Sequence, residues 1–564
     1  MRHMRPLIAL SLAGLMTLSA CGEDVAAKDD SAAGSSAAGG SNNSAPAKDG
    51  GSITVRGCTP QNPLIPSNTN ETCGRNVLDA VTARLIHYNP DTAKPEMDIA
   101  QSIETKDNQN FTVKIKPGYK FSDGTKVKAQ NFVAGWNWAA YGPNAQQSGY
   151  FFEPIEGFED LQCTGEDEDK PCEGKGKPKA EELTGLKVVD DLTFTIKTSE
   201  KVSNLPLRLG YTAFAPQPDA FFDDPEAFGD KPIAAGPYKL DSWEKNQAIT
   251  LSKFEDYSGE YGGNADEIIF QNYEDSDAAY VALQSGDLDV VREIPASALV
   301  DNKFKDDLGE GQFLEKENST LQFIGMNYHV DKKLENVKVR QAISMAIDRK
   351  TIVKQIFNDA FTPATGWVSP VVDGYKEGAC GEYCEFNPEK AKQLLEEGGG
   401  YDGKLTLTYN GDASHKGWTE AVCNSINKTL GIDCVATPTV DFATMLTKLG
   451  ENELKGMFRM GWVMDYPSIE NYLAPIYGKG ASSNYYNYAN DDFQKTMREA
   501  GAAETPEEID PFAGGYPVPP LPGQRLVEPE HRAGSTRQVE PAGATRATAT
   551  ETTTATTSEE EPRG

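Results

Sequence analysis

The tetrapeptide Leu18-Ser19-Ala20-Cys21, closing an apolar run behind Arg2 and Arg5, constrains what this chain can fold into because it assigns the folding body to the far side of a membrane. The run from Leu7 to Leu18 is too short for a spanning helix, and small residues precede the cysteine where a signal peptidase would cut. Residues 1–20 read as a lipoprotein signal with Cys21 as the lipidated N-terminus; an ordinary secretory signal beside a chance cysteine is the alternative. Residues 21–51, rich in Gly, Ser, Ala and Asn, then form a flexible tether that reaches roughly 30 Å by coil scaling. No later stretch holds enough consecutive apolar residues to cross a bilayer. The expected location is therefore extracytoplasmic, anchored to the cell membrane through the lipid.

A body this long exceeds one small core, so two or three packed units are expected. The formal net charge of −31 argues against nucleic acid, whose binding needs clustered Lys and Arg. It suits cationic or zwitterionic ligands, although solubility explains the bulk charge equally well. Of nine cysteines, those beyond Cys21 fall into close pairs: Cys58 and Cys73, Cys163 and Cys172, Cys380 and Cys384, Cys423 and Cys434. About 105 connectivities are open to such a set. In an oxidising compartment local closure is the simplest, each bridge contributing about 2–4 kcal/mol. Zinc sites need clusters of Cys and His, and His415 has no other histidine near it in the sequence. The acidic run from Gly165 to Lys170 lacks EF-hand spacing and reads as a solvated loop. No metal or cofactor is expected.

Strand and helix signals alternate along the body. Ser52 to Val55 is a short β-branched strand, and Val77, Leu78, Val81, Leu85 and Ile86 predict a helix over Asn76 to Tyr88. Phe111, Val113 and Ile115 alternate with Thr112, Lys114 and Lys116 as in a half-buried strand, and Leu192 to Ile196 repeats the pattern. Asn131 to Tyr141 reads as a helix, and Gly236 to Leu240 with Ala248 to Leu251 as paired strands. Val339 to Phe357 carries the strongest helical periodicity, with Asp348 starting a second helix. Leu405 to Tyr409 predicts a strand and Trp418 to Leu430 a helix. The pattern indicates α/β lobes with mixed sheets.

No nucleophile elbow, zinc-binding helix or phosphate-cradling loop occurs, so an enzyme is not expected. One segment instead places a cation, an indole and an anion at a turn after a strand: Phe458-Arg459-Met460-Gly461-Trp462-Val463-Met464-Asp465-Tyr466-Pro467. Together with Phe111 to Gly118, Phe121 to Thr125, Ala235 to Tyr238, and Val339 to Ile343 with Ala346 to Arg349, it resembles the family 5 extracellular solute-binding proteins of ABC importers, especially the oligopeptide- and dipeptide-binding members. The likeness runs from about Ser52 to Glu508.

That resemblance implies a two-lobed, three-domain Venus-flytrap fold: residues 52–90 and 210–315 as domain I, 91–209 as domain II and 316–508 as domain III. It implies a monomeric receptor that captures a peptide between its lobes and delivers it to an ABC permease. Asp465 takes the position that pairs with a peptide α-ammonium, Arg459 and His415 positions linked to its carboxylate, and Trp462 the motif's indole. Arg459 and Asp465 could instead pair with one another or with neighbouring backbone, Trp462 could pack in a core and His415 could be a satisfied surface group. Another solute, such as a siderophore, nickel chelate or sugar, or a signalling or adhesion role, remains open on the same fold. After Glu508 the chain departs from the resemblance. The Pro, Arg, Thr and Ala-rich residues 509–564 keep no apolar periodicity, which predicts a disordered tail and a missing C-terminal return segment, from a frameshift or shifted gene end near Glu508 or else as a genuine low-complexity extension.

Overall fold

The structure is a computed structural model describing residues 50–90, 92–165, 172, 176–273, 275–372 and 374–503, with the backbone of 523–534. The signal peptide, Cys21, the tether, the acidic run 166–170 and the rest of the tail lie outside the described residues. In chain order the strands are β1 (Ser52–Gly57), β2 (Ile86–Tyr88), β3 (Pro95–Met97), β4 (Ala100–Thr105), β5 (Asn110–Ile115), β6 (Leu186–Asp190), β7 (Thr193–Lys197), β8 (Tyr238–Glu244) and β9 (Ala248–Lys253). They continue as β10 (Glu267–Asn272), β11 (Val290–Val291), β12 (Phe313–Met326), β13 (Thr362–Pro363), β14 (Lys404–Asn410), β15 (Asp433–Thr439), β16 (Met457–Trp462) and β17 (Gly523–Gly534).

Alternation builds the smaller sheet, ordered β4-β5-β7-β6. Phe111, Val113 and Ile115 of β5 and Phe194 and Ile196 of β7 are buried on one face. Helix Ala129–Ala140 covers that face with Phe132 and Trp136. The Trp136 ring meets Phe194 and Phe214 edge-on at 5.5 and 5.3 Å, and its Nε1 donates to the Phe214 carbonyl at 3.1 Å, so the buried indole is satisfied.

The larger sheet is mixed, ordered β15-β14-β16-β12-β17-β11-β1-β10-β9-β8, with β13 against β17. Strand β12 belongs to both halves of the molecule. Its C-terminal part, Leu321 to Met326, pairs with β16 and β17, whereas Phe313 to Glu317 pairs with β17. Between them the register shifts, and side chains satisfy the interrupted backbone. Tyr472 Oη donates to the Ser319 carbonyl at 2.5 Å and Ser369 Oγ to the Asn318 carbonyl at 2.8 Å.

Most predicted elements lie within a residue or two of their expected bounds. Asp348 caps helix Arg349–Phe357 by accepting from Thr351 N, and Lys416–Leu430 forms a long helix. Two expectations are corrected. The helix predicted to reach Tyr88 is Thr72–Val81, because Thr82 turns to extended backbone and Ile86 to Tyr88 become β2. The return segment expected to be missing is present: β17 fills the gap between β12 and β11. A strand with partners on both edges is held by its main chain, so it needs no apolar alternation to pair. The four cysteine pairs close locally as Cys58–Cys73, Cys163–Cys172, Cys380–Cys384 and Cys423–Cys434. Among the described residues no helix is long and apolar enough to cross a membrane.

Candidate functional site

A cavity of about 460 Å³ lies where the register of β12 breaks. The end of β1 and helix Thr72–Val81 wall it on one side; Thr320 and Gln322, the end of β14, β16 and the start of helix Lys416–Leu430 wall it on the other. Its size falls within the ordinary range for small-ligand sites.

Arg459 enters from β16 and is 8% exposed. Its Nε donates to Gln322 Oε1 at 2.9 Å and its Nη1 to Asn410 Oδ1 at 3.3 Å, and the guanidinium lies 5.7 Å from the Phe442 ring centroid. Gly461 faces Gln322 across the ladder, where an added Cβ would come within 3.1 Å of the amide. Glycine thus leaves Gln322 room to hold the guanidinium in place.

His415, immediately before helix Lys416–Leu430, is buried. Trp418 Nε1 donates to its Nδ1 at 3.1 Å, which puts the imidazole proton on Nε2. Burial, followed by the charges of Arg459 and Arg56, holds its pKa well below 6.5. It is a neutral donor, not a cation. Arg56 crosses from β1, its Nη2 donating to the Asp412 carbonyl at 2.7 Å and its Nη1 to Ser276 Oγ at 3.0 Å.

Asp465 lies three residues beyond β16 and is 4% exposed. Its Oδ1 accepts from Arg75 Nη1 at 2.5 Å, and its Oδ2 from Asn471 Nδ2 at 2.9 Å. Asn471 Oδ1 accepts in turn from Asp465 N at 2.6 Å and Trp462 Nε1 at 3.3 Å. One buried amide therefore orients both the carboxylate and the indole. Arg75 stands in the first turn of helix Thr72–Val81, whose start is fixed by Glu71, accepting from Cys73 N and Gly74 N, and by the Cys58–Cys73 bridge. Burial pulls the Arg75 guanidinium down, but Asp465 and Asp79 reverse this and leave its pKa raised. Burial drives the Asp465 carboxyl upward against the pull of Arg75 and Asn471.

Of the residues singled out from sequence, Arg459, Trp462 and His415 line the cavity. At the Asp465 end Arg75 lines it, and Asp465 stands behind that guanidinium. Asp465 is thus bound to Arg75 of helix Thr72–Val81, while Arg459 is held by Gln322 and Asn410. Sequence reasoning missed Arg56, Arg75, Gln322, Asn410 and Asn471. The one signal for Arg75 was the need of a buried carboxylate for a counter-ion, and that does not say where in the chain the counter-ion lies.

Comparison with known proteins agrees with this architecture. The family described as "Bacterial extracellular solute-binding proteins, family 5 Middle" matches residues 94–484. The oligopeptide-binding protein OppA of Bacillus subtilis is 24% identical over 454 residues, covering 78% of this chain and 79% of its own. Among solved structures, the murein tripeptide binding protein MppA of Escherichia coli superposes with a TM-score of 0.76 at 20% identity, over 87% of this chain and 94% of that one. OppA of Haemophilus influenzae, in complex with the peptide RPPGFSPFR, gives 0.75 at 21% identity, over 87% and 95%.

Proposed function

The chain belongs to the bacterial extracellular solute-binding proteins of family 5, and from that premise we propose that it is a lipid-anchored receptor that captures peptides between its lobes and delivers them to an ABC permease. The observation that carries this reading is a cavity walled by both lobes with Arg459 and the Nε2–H of His415 in one wall. A peptide enclosed there loses its water, so its α-carboxylate needs a cation and hydrogen-bond donors inside. Arg459 supplies the charge, His415 a neutral donor, and Arg56 a second guanidinium from the opposite lobe. A relative named for oligopeptide binding supports the ligand class. Closure needs no chemistry: a ligand touching both lobes favours the closed state by its differential affinity. Lipidated Cys21 and the tether would hold a monomeric receptor beside its permease.

The test is native mass spectrometry of the soluble form beginning at Glu23, offered a library of short peptides, with Arg459→Met as the comparison. Removing a buried charged partner costs about 2–5 kcal/mol, so the variant should lose at least about thirtyfold in affinity while folding normally. Capture of no peptide, or binding by R459M within about threefold of wild type, would reject the reading.

A further inference from the structure

The cation at Asp465 is supplied by the protein. Arg75 Nη1 sits 2.5 Å from Asp465 Oδ1, and Asn471 takes Oδ2, so both carboxylate oxygens are engaged inside a residue that is 4% exposed. Arg75 is anchored on several sides. Both Nη atoms approach the Met464 carbonyl at 3.4 Å, Nε lies 3.6 Å from Asp79 Oδ2, and the guanidinium lies 5.7 Å from the Tyr211 ring centroid. It is Arg75, with Asp79 and Arg292, that faces the cavity here. Asp79 is itself held by Arg84 Nη1 at 2.6 Å, and Arg292 Nη1 donates to Asn76 Oδ1 at 2.5 Å. Arg75 and Arg84 thus pair with Asp79 and Asp465, and Arg292 lines the cavity beside them. Among the described residues, the carboxylates Asp79 and Asp465 at this end are each already paired with an arginine.

We infer that Arg75 acts as the specificity-determining residue of the cleft by occupying Asp465, so that the preferred ligands are peptides without a free α-ammonium: N-acylated, or otherwise neutral at the amino end. A free ammonium placed here meets a guanidinium before it meets the carboxylate, and must displace a side chain tied to Asp465, Asp79 and Met464. A neutral amide can accept a hydrogen bond from Arg75 and leaves the pair intact. The inference rests on the peptide reading above and narrows it.

The experiment is competition on the soluble form beginning at Glu23. A lysine-free library of short peptides is divided, one half is N-acetylated, and the captured masses are compared by native mass spectrometry. Wild type should favour the acetylated half by at least about tenfold, as like-charge juxtaposition implies. Arg75→Gln, which leaves Asp465 in need of a cation, should reverse the preference. The double variant Arg75→Gln with Asp465→Asn should bind both halves alike. Preference of wild type for the free half overturns the inference and leaves the peptide reading standing. Capture of neither half overturns both. Should the single variant fail to fold, the wild-type ratio alone decides.

Discussion

Truncation of Asn471 to alanine tests whether one buried amide organises the turn after β16. Asn471 is 0% exposed and holds three groups: Asp465 N at 2.6 Å, Asp465 Oδ2 at 2.9 Å and Trp462 Nε1 at 3.3 Å. Alanine leaves a backbone N–H, an indole N–H and one carboxylate oxygen without these partners. A buried neutral group left unsatisfied costs about 1–3 kcal/mol, and a hydrogen bond to a charged group is worth about 1.5–3. The 3.3 Å indole contact belongs at the low end, and water entering the small space left by the side chain recovers part of the rest. The expected loss is about 3–5 kcal/mol, read as a shift of the urea midpoint at constant slope. Asn471→Asp sharpens the test, because it sets a second carboxyl about 3 Å from Asp465 Oδ2. One of the two must then hold a proton, with its pKa raised by the other charge. The aspartate variant should therefore approach wild type in acid, where its O–H donates as the amide did, and lose stability as pH rises through the raised pKa. An alanine variant within about 1 kcal/mol of wild type, or an aspartate variant indifferent to pH, would refute the argument.

His415 should give the fold a pH slope. Its folded pKa lies well below the usual 6.5 because burial, Arg459 and Arg56 oppose the imidazolium, so on acidification the unfolded chain takes up a proton that the native state refuses. Stability should fall by about 1.4 kcal/mol for each pH unit below 6.5 until the folded pKa is reached, and His415→Gln should remove that contribution; an unchanged slope in paired denaturation curves would contradict it. Ending the chain at residue 522 should remove β17, which meets β12 from Phe313 to Gly325 and β11 at its far end. At roughly 0.5–1.5 kcal/mol net per hydrogen bond the loss rivals the whole stability of a domain, so cooperative melting should disappear; a midpoint within about 2 °C of the full chain would refute the pairing.

Elements governed by local pattern were legible in the sequence. The alternation of Phe111, Val113 and Ile115 identified a strand buried on one face, and Asp348 announced the helix that it caps. Residues organised by distant contacts were not. Arg75 and Asp465 are 390 residues apart, and nothing near either one names the other. The motif presented Arg459 and Asp465 as two ligand-binding groups of one site, with pairing to one another as the alternative. Arg459, however, sits within β16 and faces the amides of β12 and β14, whereas Asp465 lies beyond the strand end, where helix Thr72–Val81 can reach it. β17 escaped notice for a related reason: main-chain pairing on both edges leaves no required side-chain signature.

Arg56 and Arg75 share a staple. Arg56 is two residues before Cys58, Arg75 two residues after Cys73, and the disulfide joins the end of β1 to the first turn of helix Thr72–Val81. Arg56 reaches the Asp412 carbonyl beside His415, and Arg75 reaches Asp465, so both of these contacts are positioned from one cross-linked corner. Glu71 fixes the same corner by capping the helix from within the bridged loop. A guanidinium on a long flexible side chain loses conformational entropy when it binds across a cleft. Anchoring its backbone at the bridge confines the search to the side chain itself. The cysteines around the site therefore set the geometry from which the first lobe engages the second, and an oxidising compartment, where such a bridge persists, is the setting in which this cleft can keep that geometry.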